Sequence, residues 1–163
     1  MMYPEIKTIL YATDMGDHMG PVFRFALGIA KKHEAQIVAL HVVEPLSSGV
    51  RLTIDIYMPE VSAKEVLRDG MKKAIVNMQQ RLDEFCEDEL VQSPEDRELI
   101  TEVKVVSGRP AETITQQAEQ LEADLIVVGT HTDPSFGAHL LGSTARKVTQ
   151  LSRIPVLVVP VHE

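Results

Sequence analysis

Apolar positions alternate along this chain between short continuous runs and longer stretches that recur every three or four residues, and the two patterns take turns. Ile6 to Ala12 is a short apolar run closed by Thr13, Asp14 and Gly16, which predicts a first strand ending in a turn. Pro21 suits a helix start. Phe23, Ala26, Leu27 and Ala30 then recur at helical spacing up to Lys31 and Lys32, whose cations suit a helix C-terminus. Gln36 to Val43 reads as a second, central strand, ended by Glu44 and Pro45. From Leu46 to Val61 no period holds; with Ser47, Ser48, Gly49 and Pro59 in it, the segment predicts a long loop.

Ser62 and Glu65 have capping-box spacing. Leu67, Met71, Ala74, Ile75, Met78, Leu82 and Phe85 follow as one apolar stripe, which predicts the longest helix, packed on the sheet. Ser93 to Asp96 predicts an exposed turn. Thr101 to Val106 alternates polar and apolar positions, as a sheet-edge strand with one wet face does, and Gly108 and Pro110 end it. Ile114, Ala118 and Leu121 predict a short third helix, Leu125 to Val128 a buried strand, Ala145, Val148 and Leu151 a fourth helix, and Pro155 to Pro160 a last strand.

The resulting order β-α-β-α-β-α-β-α-β implies an α/β fold, a parallel sheet with right-handed crossovers and helices on both faces. At 163 residues with 44% hydrophobic and 25% charged positions, one self-folding domain over residues 1–163 is expected. The 16 Lys and Arg stand against 24 Asp and Glu, and the formal charge of −8 repels polyanions, so no nucleic-acid partner is expected. Cys86 has no second cysteine to pair with, and no apolar run approaches the length that crosses a bilayer. A cytoplasmic protein without a membrane partner is the expectation. The last strand, apolar from Val156 to Val159 at an expected sheet edge, points to a homodimer joined through it.

Open α/β sheets bind ligands beyond the carboxyl ends of their strands, where the strand order reverses. In a 3-2-1-4-5 order that point lies between strands one and four, where Asp14 and Gly129 would face each other. The segment from Gly129 runs to Gly142, Ser143 and Thr144 and straight into a helix. A helix start offers free N–H groups to an anion, Gly142 permits close backbone approach, and the two hydroxyls add donors. The same residues equally serve a ligand-free start, with Ser143 capping and Gly142 turning the chain. Asp14 fits either a metal accompanying a nucleotide or a plain turn. Arg146 and Lys147 fit either phosphate screening or a solvated helix face. No Walker A pattern and no nucleophile elbow are present. His131 and His139 lack the spacing of a zinc pair, and His41, inside an apolar strand, reads as a core or pocket-lining imidazole.

The run Ile-Leu-Tyr-Ala-Thr-Asp14, Leu-His-Val-Val in strand two, Val-Val-Gly-Thr-His in strand four, Leu-Leu-Gly-Ser-Thr and the final Ile-Pro-Val-Leu-Val-Val together resemble the universal stress protein family over almost the whole chain. That resemblance implies a Rossmann-like open sheet of five parallel strands in the order 3-2-1-4-5, dimerisation through the last strand and, in one branch, an ATP site with the motif Gly-x-x-Gly-x9-Gly-Ser/Thr. Gly129, Gly142 and Ser143 fall on its first glycine, third glycine and hydroxyl positions, whereas Thr132 occupies the second glycine position. Asp14 matches the carboxylate beside adenine and ribose, Val42 the adenine contact, and Ala12 stands where many ATP-binding members have proline.

The expected ligand is therefore ATP or another adenine nucleotide, with or without magnesium, bound as a signal with at most slow hydrolysis. Ala12, Thr13, Asp14 and Val42 would meet the nucleoside, Gly129 and Thr130 the ribose and phosphates, and Gly142, Ser143 and Thr144 the phosphates. Thr132 leaves a second reading open, a protein-interaction module without nucleotide that acts on a partner of unknown identity through its dimer surface or the Leu46 to Val61 loop. An enzyme on the same scaffold would need an acid-base pair that is not visible.

Overall fold

A computed structural model of the chain describes residues 3–16, 18–57, 63–130 and 141–161. Five strands, β1 (Thr8–Thr13), β2 (Gln36–Val43), β3 (Ile100–Ser107), β4 (Leu125–Gly129) and β5 (Val156–Val159), form one parallel sheet in the order β3-β2-β1-β4-β5. β1 is central because it pairs with β2 on one side and β4 on the other, and all but its first residue are buried.

The period-two pattern of the strands sorts side chains between two cores. Ile9, Tyr11, Ile37, Ala39 and Val127 face α1 (Gly20–His33) and the C-terminal half of α3 (Ala63–Glu89). Leu10, Ala12, Leu40, Ile126 and Val128 face α4 (Pro110–Gln120) and α5 (Ser143–Leu151). On the α1 side, Phe23 meets Tyr11 and Phe85 with ring centroids 5.3 and 5.4 Å apart, both tilted, the geometry in which aromatic quadrupoles attract. Pro21 sits in the first turn of α1, and Lys31, Lys32 and His33 in its last, as the sequence indicated. Glu34 then turns left-handed at φ 54° while Ala35 N–H returns to the Ala30 carbonyl, which ends the helix and aims the chain into β2.

Three expectations are corrected. The segment expected as a loop from Leu46 contains a helix, α2 (Ser48–Tyr57). Its apolar residues point in several directions, with Val50, Leu52, Ile56 and Tyr57 exposed and only Ile54 half-buried against α3, so no single stripe announces it. The rest of that segment, like Ser62 of the capping box, lies outside the described residues.

The long stripe of α3 is only partly core. Leu82 is buried, and Ile75, Met78 and Phe85 pack on the α1 core, but Leu67, Met71 and Ala74 join neither core, because this 27-residue helix outruns the sheet and meets α2 instead. Finally, the turn at Ser93 opens a 3-10 helix, Pro94–Leu99, held to α1 by the ion pair Lys31 to Asp96 at 2.9 Å. No helix among the described residues is long and apolar enough to cross a membrane.

Candidate functional site

A cleft of ≈ 440 Å³ opens beyond the carboxyl ends of β1, β2 and β4, within the about 300–1,000 Å³ usual for small-molecule sites. The strand order makes it: consecutive strands leave β1 in opposite directions, so their following segments part and leave a crevice. Ala12, Thr13 and Asp14 come to it from the end of β1, Val42 from β2, and Gly129 and Thr130 from β4. Gly142, Ser143 and Thr144 come from the start of α5. The structure thus gathers all nine candidate residues around one cavity. Thr132, His131 and His139 lie outside the described residues.

The β1 end is a tightly bonded turn. Thr13 Oγ1 accepts from Met15 N–H at 3.0 Å, and Asp14 Oδ1 from Gly16 N–H at 2.9 Å, which holds Met15 at a positive φ of 64°. Asp14 therefore does serve the turn. Its register neighbour adds a third restraint: His41, paired with Thr13 across β1 and β2, places Nδ1 2.8 Å from the Thr13 carbonyl oxygen. A carbonyl only accepts, so Nδ1 carries the proton, and in the neutral ring Nε2 is an acceptor.

The β4 end is fixed differently. Thr130 N–H donates to the Val159 carbonyl at 3.0 Å and its Oγ1 accepts from Val161 N–H at 2.9 Å, so one residue ties β4 to the chain on both sides of Pro160. With one lone pair used, the hydroxyl proton of Thr130 can still be donated. A Cβ on Gly129 would lie 3.0 Å from Val22 Cγ2 and 3.2 Å from Met19 Sδ and Val161 Cγ2. A side chain at Gly129 would press on α1 and on Val161 under the cleft floor, a packing constraint that acts with or without a ligand.

At α5, Gly142 is the N-cap with φ −55° and ψ 154°, a conformation open to any residue, and no side chain caps the helix. The Gly142 carbonyl accepts Arg146 N–H at 2.9 Å, while the amides of Ser143 and Thr144 precede the first intrahelical bond and have no acceptor inside the helix. Ser143 is thus the first helical residue rather than the cap. The charged side chains on the described lining are the carboxylates of Asp14 and Glu44, beside the imidazole of His41. Lys147 is drawn to Glu112 at 2.7 Å, which lowers the Glu112 pKa and joins α5 to α4. Positive potential in the cleft comes from the α5 amides.

Residues the sequence did not single out complete the walls: Leu40, Pro110 and Ile114 on the α4 side, Met19 and Met78 on the other. Nothing local marks them, since each belongs to an ordinary helical or strand pattern.

The model of the family described as "Universal stress protein family" matches residues 5–160. The chain belongs to the universal stress protein family. A universal stress protein of Thermus aquaticus is 31% identical over 94% of this chain and 98% of its own length. The universal stress protein YxiE of Bacillus subtilis is 31% identical over 93% of this chain and 97% of its own. Among solved structures, a universal stress protein in complex with cAMP superposes with a TM-score of 0.62 at 21% identity, over 96% of this chain and 98% of that one, a likeness of fold. The sheet order implied by that resemblance is the one found here.

Proposed function

We propose that this universal stress protein binds ATP or another adenine nucleotide in the cleft as a regulatory ligand, in the cytoplasm, as a homodimer joined through β5. The observation that carries the reading is the convergence of an apolar slot and an uncapped helix start in one cavity. Ala12, Val42, Val128 and Ile114 suit the flat face of a purine, and Asp14 and the acceptor Nε2 of His41 suit the ribose hydroxyls. The amides of Ser143 and Thr144, with their hydroxyls and the backbone of Gly129 and Thr130, suit phosphate oxygens. Magnesium bound with a polyphosphate would offset the carboxylates of Asp14 and Glu44. The cAMP complex of a family member of the same fold supports adenine as the base. We read the nucleotide as a signal, with at most slow hydrolysis.

Isothermal titration of nucleotide-stripped protein tests this with Mg-ATP, AMP and cAMP in turn. Saturable binding that disappears in Gly142→Val supports it, since φ −55° tolerates valine and Gly142 lines the cleft beside the α5 amides, where added bulk competes with a phosphate. No heat with any of the three nucleotides overturns it and favours the second reading, an interaction module without nucleotide. The open apolar edge of β5 and the exposed Val50, Leu52, Ile56 and Tyr57 of α2 support that alternative.

A further inference from the structure

We propose that the groove between α2 and the first half of α3 is a second ligand site, which takes an aliphatic carboxylate with its chain along the groove and its headgroup on Arg51 and Arg68. The groove encloses ≈ 900 Å³, about twice the cleft. Val43 lines it from the end of β2, Leu46 from beyond it, Ile54 from α2, and Leu67, Met71 and Ala74 from α3. These three α3 residues are the part of the long stripe that the sheet does not cover, and they are half-buried without belonging to either core. An apolar helix stripe only partly covered by α2 and lining a cavity leaves surface whose further burial would release free energy.

Charge selects the headgroup. Arg51, Lys64 and Arg68 line the groove against Glu44 and Asp55, so its balance is positive on a chain whose formal charge is −8. Among the described residues Arg51 and Lys64 make no ion pair, and Arg68 reaches only its exposed neighbour Asp69, at 3.7 Å. A guanidinium can lay its stem along the apolar wall and present two parallel N–H donors to one carboxylate. The nucleotide cleft, by contrast, has no Lys or Arg on its described lining.

The helix itself supplies a second argument. α2 has ten residues and buries none of them, and a helix that short is marginal in water unless tertiary contacts hold it. An alkyl chain between α2 and α3 would give Ile54 of α2 further apolar contact and so help hold the helix. The groove meets the cleft at Val43 and Glu44, which line both, but this site stands independently of the nucleotide reading.

The test is isothermal titration of the full chain with decanoate below its micelle concentration. One saturable site is expected, abolished by Ala74→Phe, which fills the groove, and weakened about tenfold by the pair Arg51→Gln and Arg68→Gln. Decyltrimethylammonium, with the same chain and the opposite charge, should not displace decanoate, and Gly142→Val should bind it like the wild type. The Arg51→Gln and Arg68→Gln pair alters exposed side chains, so it remains informative even if Ala74→Phe fails to fold. Absence of saturation up to about millimolar decanoate would overturn the proposal, and so would binding that the arginine pair leaves unchanged.

Discussion

His41 Nδ1 lies 2.8 Å from the carbonyl oxygen of Thr13, its register partner on β1, so the imidazole of one strand is pinned to the last peptide of the strand that carries Asp14. The bond accounts for a polar ring within an apolar strand and fixes which nitrogen holds the proton. Nitrogen-15 NMR of the neutral ring should show the Nδ1–H tautomer for His41. His41→Leu should lower stability by ~1 kcal/mol in urea unfolding, the loss of one part-buried hydrogen bond with some apolar compensation. A dominant Nε2–H tautomer would show that the imidazole is held otherwise.

Thr130 should matter to folding before it matters to any ligand. Thr130→Val keeps the shape but removes the Oγ1 that accepts from Val161 N–H, with an expected cost of ~1 kcal/mol, whereas Thr130→Ser should cost less. A larger loss in Thr130→Ser than in Thr130→Val would mean that the methyl group, not the hydroxyl, holds the β5 end in place.

Gly129 offers a sharper contrast with Gly142. Gly129→Val should destabilise by ~1–3 kcal/mol through contact with Val22, Met19 and Val161, and Gly129→Ala by less, since its single methyl group asks those neighbours to give by only a few tenths of an ångström. Gly142→Val should unfold close to the wild-type midpoint while losing nucleotide. Thermal melts of the three variants beside titration separate packing from binding.

Burial pushes the Cys86 thiol up to about 12 and drives the Tyr11 phenol upward as well, because the α1 core disfavours either anion. In both groups the folded state holds the proton more tightly than the unfolded state does. The folded chain therefore binds more protons above about pH 8.5, the unfolded thiol value, and stability should fall as pH rises from there toward 12. The Cys86 thiol should resist alkylation at pH 8 in the native protein and react promptly in urea. Fast alkylation without urea would place that thiol outside the core.

The strands, their alternation with four of the helices and the residues at the strand ends were legible in the sequence, because each depends on a local period. Apolar runs of four to eight residues that alternate with helical stripes fit strands buried on both faces, and the last residues of such strands sit at the ligand-binding end of a parallel sheet. The family motifs then placed Asp14, Val42, Gly129 and Gly142 at one switch point. Tertiary structure alone decided the rest.

α2 has no single apolar face, so no period betrayed it, and the first half of the α3 stripe reads like core although no strand lies beneath it. Met78 and Ile114 reach the cleft only because their helices cross the strand ends from opposite faces. Gly129, read from sequence as a ribose and phosphate contact, lines the cleft and is also packed closely against Val22 and Met19, a constraint that no local pattern shows. Period tells which side of an element is apolar, but the partner of that side is set by how far each element runs past its neighbours, a length relation that only the assembled chain possesses.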